Sequence, residues 1–325
     1  MRGVVEMAAV DARQNGWDLV VKAVDDQADD GVAAEVARLL CAEPSVIAVV
    51  GHKNSGPSRA GGPVYASAGL TQLTQCATDN ALSRSGWETF FRLCADNERQ
   101  AAAAADFALS HVRPARIVAV HDGTDYGRPL VEAFAKRVAA AGGPPVRTLS
   151  VHVGQEDFKA VVDAIREPGA SLVYIGGTEI EGSKLTRAIR AAGIDTQVMT
   201  SEGGPHNPFP RLAGGAAEGT IHTYAGANPS ATEASRRLAQ RCAAELGEVP
   251  SFMVECYDAV TVIAAALATG ATTRSGVRDA VAGSDVQGIA GRIRFAGNGD
   301  RIDAPVSLWR VEGGVMVPVA EGAVR

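Results

Sequence analysis

Short runs of β-branched and other apolar residues alternate with longer, Ala-rich amphipathic stretches along most of this chain. Such alternation is typical of βαβ units, in which parallel strands form a sheet and helices cover both of its faces. The predicted strands are 19–24, 46–50, 70–73, 116–120, 146–151, 172–175, 197–200 and 219–224. We therefore predict an α/β fold built from doubly wound parallel sheets.

Helical patterns lie between these strands, and they lengthen after residue 230. They cover 2–14, 32–41, 98–111, 127–141, 158–166, 183–192, 231–246, 252–268 and 274–281, with strands at 291–295 and 306–311 closing the chain. Gly142 and Gly193 follow two of the helices, at the position where a left-handed cap belongs. A length of 325 residues suggests two domains. Because no single Pro/Gly/Ser linker divides the chain, we expect it to cross between the domains more than once.

Charge and apolar patterning exclude several classes of protein. The 31 Lys and Arg residues are outnumbered by 37 Asp and Glu, and the pI is about 5.6, which argues against a nucleic-acid or anionic-membrane partner. No apolar run approaches the roughly 18 residues of a transmembrane helix. The N-terminus places Glu6, Asp11 and Arg13 where a signal peptide would be apolar. Scattered cysteines and histidines predict free, mostly buried thiols and neither a metal site nor a cofactor.

Enzyme motifs are incomplete or absent. The segment 51–56 has the spacing of a phosphate-binding loop, but Pro57 stands where that loop requires lysine. The sequence contains no G-x-S-x-G, no H-E-x-x-H, and no G-x-G-x-x-G after its first predicted strand. The pair His121-Asp122 has no serine or cysteine nucleophile placed beside it by the sequence. The pattern favours binding over catalysis.

Hydroxyl groups and one carboxylate follow the carboxyl ends of predicted strands, where open α/β sheets bind ligands. The loop after 46–50 contains Ser55, the turn after 70–73 contains Thr78, and the strand 197–200 runs into Glu202. Hydroxyls and free backbone N–H groups at a helix start suit a carboxylate or another small anion. Two such loops together with one carboxylate would suit a zwitterion such as an α-amino acid.

Each of these residues also has an ordinary structural interpretation. Ser55 and Thr78 are common helix N-cap residues, and Glu202 could be a solvated turn residue. Tyr126 could cover a helix start, and Phe252 could belong to a core. Glu255 and Asp258 lie three apart, as on the polar face of a helix. The residues alone leave both interpretations open.

A family resemblance emerges from the order and spacing of several short segments, which span nearly the whole chain. They are 49–52, 75–78, 91–93, 117–122 with 126–127, 173–177, 202–203, 212–219 and 257–260. Together they make the chain similar to the periplasmic type I solute-binding proteins of ABC importers, in particular the branched-chain (Leu/Ile/Val) amino-acid-binding proteins.

The resemblance implies a two-lobed periplasmic-binding-protein fold whose hinge closes around a ligand. Lobe one would contain residues 1–96 plus 226–303, and lobe two residues 97–225 plus 304–325. The implied ligand-binding residues are Ser55, Cys76, Ala77, Thr78 and Phe252 in lobe one, and Tyr126, Thr178 and Glu202 in lobe two.

The resemblance also implies a function without enzymatic activity. The expected protein is an extracytoplasmic (periplasmic or cell-surface) receptor that delivers an amino acid, or a related carboxylate or amide, to ABC permease subunits. Thr178 and Glu179 stand where relatives carry aromatics, and Glu255 lies one helical turn beyond Phe252. A carboxylate in the pocket would favour a more polar ligand than Leu, Ile or Val. The alternative is a cytoplasmic ligand-sensing domain of the same fold.

One part of the family pattern is absent at the start of the sequence. Family members begin with a secretion signal, a strand and a Gly/Ser loop, whereas residues 2–14 here already match the first helix. We therefore expect that first strand to be missing, through a truncated start or in a natural chain with an impaired site. The segments 19–24 and 70–73 would then lack a neighbour between them.

Overall fold

The computed structural model describes residues 1–204 and 206–319. They form two compact units. The first contains Met1–Asp96 and Gly226–Pro305, and the second contains Asn97–Ala225 and the described part of Val306–Arg325. The chain passes from one unit to the other after Asp96, after Ala225 and after Pro305.

Helices and strands alternate along most of the chain. The helices are α1 Arg2–Gln14, α2 Asp30–Cys41, α3 Ser55–Ser67, α4 Asn80–Arg84, α5 Asn97–Phe107, α6 Gly127–Ala140, α7 Lys159–Arg166, α8 Glu179–Ala191, α9 Phe209–Ala213, α10 Glu233–Leu246, α11 Met253–Ala268 and α12 Arg274–Ala282. The strands are β1 Ala48–Val50, β2 Thr71–Thr74, β3 Phe90–Arg92, β4 Ile117–His121, β5 Val146–Ser150, β6 Leu172–Gly176, β7 Gln197–Thr200, β8 Ile221–Tyr224, β9 Val286–Gly288, β10 Gly291–Ile293, β11 Ser307–Glu312 and β12 Val315–Pro318.

The first unit contains a three-stranded parallel sheet in the order β1-β2-β3. Apolar side chains of the sheet, including Leu73 and Phe91, pack against Val262 of α11 on one side. Tyr65 of α3 packs with Leu40 of α2 in a separate cluster. A short antiparallel pair, β9 with β10, completes the described sheet structure of this unit.

The prediction of a strand at 19–24 is wrong. The segment is strand-like in its side chains, since Leu19 is half-buried and Val20 is 79% exposed. It nevertheless pairs with no other strand among the described residues. A strand needs a hydrogen-bonded neighbour, and an alternating pattern of side chains cannot supply one. The expectation for 70–73 is also wrong, since β2 has β1 on one side and β3 on the other. Within the described residues, β1 is the edge strand next to β2, and its outer edge is unpaired.

The second unit contains a seven-stranded sheet in the order β12-β11-β8-β7-β6-β4-β5. The neighbours from β8 to β5 are parallel, whereas β11 is antiparallel to β8 and to β12. One face packs Phe134 of α6 on Tyr174, with ring centroids 4.0 Å apart. The other face packs Ile165 of α7 and Leu185 of α8 on β4 and β6. Helices therefore cover both faces, as the βαβ pattern predicts.

Helix α3 is not among the predicted helices, because its sequence contains residues that disfavour helices. A Cβ at Gly61 would lie 2.7 Å from the Nε2 atom of His52, and one at Gly62 would lie 2.2 Å from the Trp87 ring. These two glycines therefore permit close packing at the cost of helix propensity. Pro63 lies in the same helix.

The five cysteines are free thiols, of which Cys94, Cys242 and Cys256 are buried, as predicted. In the part of the chain that the structure describes, no helix combines the length and apolarity needed to cross a bilayer. Over the same residues, His, Cys, Asp and Glu side chains form no group suited to holding a metal ion.

Candidate functional site

In the first unit, Ser55 and the turn 75–79 follow β1 and β2, which are parallel neighbours. Their carboxyl ends meet at the same edge of the sheet, so the two loops lie together. The Ser55 Oγ atom accepts a hydrogen bond from the backbone N–H of Asp79 at 3.3 Å. The Cys76 thiol donates to the carbonyl of Lys53 at 3.1 Å. The structure thus brings Ser55 and the predicted turn into one cluster.

Thr74 fixes the shape of this turn. Its Oγ1 atom accepts from the N–H groups of Ala77 at 2.9 Å and Cys76 at 3.4 Å. The same hydroxyl donates to the carbonyl of His52 at 2.9 Å, which ties the turn to the β1 loop. Two backbone donors of the predicted site are therefore bound to a side chain of the same unit.

Thr78 carries an unsatisfied polar group. The residue is 2% exposed, and its Oγ1 atom has no hydrogen-bond partner among the described residues. A buried hydroxyl without a partner costs about 1–3 kcal/mol of stability. A bound ligand with a hydrogen-bonding group would remove that cost.

Two of the predicted ligand residues have positive φ angles. Glu202 has φ of 62° and Phe252 has φ of 56°, a region that costs energy for residues with a Cβ and is a genuine outlier for a bulky one. Such strain persists where surrounding structure enforces it, and it concentrates at functional sites. Phe252 is buried in the first unit directly before α11, whereas Glu202 belongs to the second unit.

In the second unit, three adjacent strands present the remaining predicted residues. Tyr126, Thr178 and Glu202 lie in the loops after β4, β6 and β7, which are neighbours in the sheet. The carboxylate of Asp122 accepts from the backbone N–H of Thr178 at 3.0 Å. The hydroxyl of Ser201 donates to the carbonyl of Gly177 at 2.9 Å. These bonds join the three loops to one another.

Tyr126 and Glu202 form an electrostatically coupled pair. Burial, and then the negative charge of Glu202, raise the pKa of Tyr126 well above 10. The phenol therefore stays protonated and able to donate. Its hydroxyl donates to the Gln100 Oε1 atom at 3.5 Å, and Gln100 donates in turn to Thr223 at 3.0 Å.

The Thr178 hydroxyl is already occupied within the unit. It donates to a carboxylate oxygen of Glu181, and the other Glu181 oxygen accepts from the N–H of Gly154 at 3.0 Å. Glu181 is buried, and its pKa is lowered even though burial alone would raise it, because these hydrogen bonds stabilise the carboxylate. The sequence pattern indicates neither Glu181 nor Ser201, since their partners are set by packing between loops.

Of the two carboxylates considered as modifiers of specificity, Glu255 is fully buried inside the first unit. Its Oε1 atom accepts from the backbone N–H of Ala227 at 2.7 Å. The interpretation of Glu255 and Asp258 as a polar helix face is wrong, since both have no exposed surface. Glu179 is half-buried in the first turn of α8.

This fold is that of the type I periplasmic binding proteins. Residues 1–315 match the family model described as periplasmic binding protein, and the chain belongs to that family. The predicted membership and the type I periplasmic-binding-protein fold are therefore confirmed. Members of the family are substrate-binding proteins.

Individual members of the family to which this chain is similar can be named. The Leu/Ile/Val-binding protein homolog 1 of Brucella melitensis is 29% identical over 252 residues, covering 78% of this chain and 67% of the relative. A leucine binding protein from Thermotoga maritima superposes with a TM-score of 0.89 at 22% identity, over 98% of this chain and 93% of that one. An isoleucine complex of the branched-chain amino-acid transporter substrate binding protein from Streptococcus pneumoniae gives a TM-score of 0.85 at 20% identity, over 98% and 94%.

Proposed function

We propose that this protein is the extracytoplasmic solute-binding protein of an ABC importer and binds an amino acid, with branched-chain amino acids as the first candidates. Relatives named for Leu/Ile/Val binding and the isoleucine complex of a structural neighbour support this choice. The single observation that carries it is the buried, unpartnered hydroxyl of Thr78 beside Ser55, at the edge of a parallel sheet.

In the first unit, the proposed role is to bind the ligand carboxylate. The hydroxyls of Ser55 and Thr78 can donate to it, and Ser55 begins the 13-residue helix α3. The first N–H groups of a helix lack intrahelical partners and carry the positive end of the helix dipole. That environment stabilises an anion without requiring a cationic side chain.

In the second unit, the proposed role is to bind the ligand ammonium group. Glu202 supplies a negative charge, and the phenol of Tyr126 adds an oxygen that can accept from the ammonium group and an aromatic surface. We propose that one amino acid is bound by both sets of residues.

The ligand side chain is proposed to be small and apolar. One reason to expect a polar pocket was Glu255, but its side chain is fully buried inside the first unit, where Oε1 accepts from the N–H of Ala227 and Oε2 has no partner among the described residues. If that carboxylate faced the ligand pocket unpaired, an isobutyl side chain beside it would be strongly unfavourable.

Thr78→Val tests the proposal with a matched control. Valine keeps the shape of threonine and removes the unsatisfied hydroxyl, so Thr78→Val should raise the free energy of unfolding by about 1 kcal/mol. It should also weaken binding of L-leucine, L-isoleucine or L-valine, measured by calorimetry, by about tenfold, the equivalent of one lost hydrogen bond.

The control is Thr71→Val, because Thr71 of β2 is also buried and its hydroxyl has no hydrogen-bond partner in the part of the chain that the structure describes. It should stabilise the protein similarly and leave ligand affinity unchanged. Wild-type protein that binds none of the three amino acids would contradict the choice of ligand. Equal affinity of wild type and Thr78→Val would contradict the assigned role of Thr78.

A further inference from the structure

The side chain of Arg92, at the end of β3, is completely buried and forms hydrogen bonds with the turn that contains Thr78. Arg92 has 0% exposure. Its Nη1 atom donates to the carbonyl of Asp79 at 2.8 Å and to that of Ala77 at 3.3 Å. One nitrogen therefore binds the carbonyls on both sides of Thr78.

The other nitrogens of the same guanidinium bind Asp300. The Nε and Nη2 atoms donate to the Asp300 Oδ1 atom at 2.9 and 2.5 Å, and Nη2 also donates to the Ser83 hydroxyl at 2.9 Å. Asp300 is itself fixed by Asn298, whose Nδ2 atom donates to its second carboxylate oxygen at 2.7 Å. Charge-assisted bonds of this kind are about twice as strong as neutral ones.

The backbone reinforces the pairing of Arg92 with Asp300. The N–H of Arg92 donates to the carbonyl of Gly299 at 2.9 Å, and the N–H of Arg301 donates to the carbonyl of Arg92 at 3.0 Å. Arg92 lies just before the passage of the chain after Asp96, and Asp300 just before the passage after Pro305. The guanidinium thus links the Thr78 turn to two of the segments that lead out of the unit.

The geometry of the peptide bond gives these contacts a consequence for binding. In a planar trans peptide, the carbonyl of one residue and the N–H of the next point in opposite directions. Because Arg92 draws the carbonyl of Ala77 toward itself, the N–H of Thr78 is directed away from the guanidinium. The Asp79 carbonyl has the same effect on the N–H of Asn80.

We propose that Arg92 is a positioning residue: with Asp300, it orients the turn 77–80 so that the backbone N–H and the hydroxyl of Thr78 are presented to a ligand carboxylate. The orienting effect belongs to the ligand-free protein, while its consequence for affinity rests on the proposed function. Arg92 itself is not a ligand contact, since its donors are used by Ala77, Asp79, Ser83 and Asp300.

The test compares Asp300→Asn with Ser83→Ala in the full chain. Asparagine keeps the shape of Asp300 and removes its charge, so Arg92 loses its ionic anchor. Ser83→Ala removes one hydrogen bond from the same guanidinium, and the 3.3 Å bond that the Ser83 hydroxyl donates to the carbonyl of Asn80, but leaves Asp300 and the bonds to the Ala77 and Asp79 carbonyls in place. Arg92→Lys is a third variant, which keeps the charge but cannot bind both carbonyls and Asp300 together.

Two measurements follow, the first without ligand. Hydrogen–deuterium exchange across 75–84 should be about tenfold faster in Asp300→Asn and Arg92→Lys than in wild type, and Ser83→Ala should stay within about twofold. The affinity for L-leucine, L-isoleucine or L-valine should fall about tenfold in the same two variants and remain unchanged in Ser83→Ala.

The outcomes separate the two proposals. If exchange is faster in Asp300→Asn and Arg92→Lys but the wild type binds none of the amino acids, the proposed function is removed and the positioning role is supported. Unchanged exchange in Asp300→Asn and Arg92→Lys would overturn the positioning role, whatever the affinity. Equal losses in Ser83→Ala would also overturn it, because Arg92 would then act only through general stability. If Arg92→Lys does not fold, the isosteric Asp300→Asn decides.

Discussion

At the residue scale, the buried carboxylate of Glu255 links the stability of the first unit to pH. Burial, and to a smaller extent the charge of Asp258, raise the pKa of Glu255 to about 7, against the lowering effect of the Ala227 N–H. Burial likewise raises the pKa of Asp258 to about 6, although Arg301 lies 4.0 Å away. The Cys94 thiol also lies within electrostatic range of Glu255.

These raised pKa values set the sign of the pH dependence. Between pH 4.5 and about 7 the folded protein holds protons that the unfolded chain has released. The free energy of unfolding therefore falls as pH rises through this window, by roughly 1.4 kcal/mol for each unit of pKa difference. The stabilisation is complete below the unfolded pKa and is lost above the folded one.

Glu255→Gln should flatten this dependence, because glutamine has no proton to release and can still accept from Ala227. Urea unfolding at pH 5, 6, 7 and 8 measures the slope. Exposed Glu132→Gln in the second unit is the control and should keep the wild-type slope. A Glu255→Gln variant with an unchanged slope would show that another group controls the dependence.

At the element scale, the turn 296–300 packs against β3 at Gly299. Any other residue at this position would force the turn or the strand to move. Gly299 has φ of +82°, and a Cβ at this position would lie 2.0 Å from the carbonyl oxygen of Phe90. The N–H of Gly299 donates to Ala296 at 2.9 Å, which closes the turn. Backbone conformation and backbone contact thus both require glycine here.

Gly299→Ala should destabilise the protein more than Gly270→Ala does. Gly270 has φ of +90°, with nothing within 4 Å of an added Cβ, so its substitution reports the conformational cost alone, about 1–3 kcal/mol. Gly299→Ala adds displacement of the turn from β3, and we expect at least about 2 kcal/mol more. Urea unfolding of both variants checks the difference. Equal losses would mean that the turn moves away from β3 without cost.

Whether a feature could be predicted from the sequence depends on whether it is set by residues that are close together in the chain. Strands of the second unit, such as β6, are predictable because they are continuous apolar runs buried on both faces. The segment 19–24 has a strand pattern, but pairing depends on a neighbour that the pattern does not contain. Ser55, Thr78 and Glu202 could be selected because they follow strand ends. Arg92 could not be assigned its role, because its partner Asp300 is 208 positions away.

At the scale of the whole molecule, the candidate ligand residues are divided between the two units. Ser55 and Thr78 belong to the first unit, whereas Tyr126 and Glu202 belong to the second. Each set is organised by contacts inside its own unit: Thr74 shapes the first, and Ser201 joins the loops of the second. In the proposed function, the first set binds the carboxylate of the ligand and the second set binds its ammonium group.

Glu202→Ala should therefore weaken amino-acid binding by roughly 2–5 kcal/mol, the usual loss when one partner of a desolvated charge pair is removed. If one ligand molecule contacts both sets, Thr78→Val should cost less in the Glu202→Ala background than in wild type, because residues that share a ligand are energetically coupled. A double-mutant cycle by calorimetry measures this coupling, with Thr71→Val replacing Thr78→Val as the control. Strictly additive losses would mean that the two sets of residues act independently.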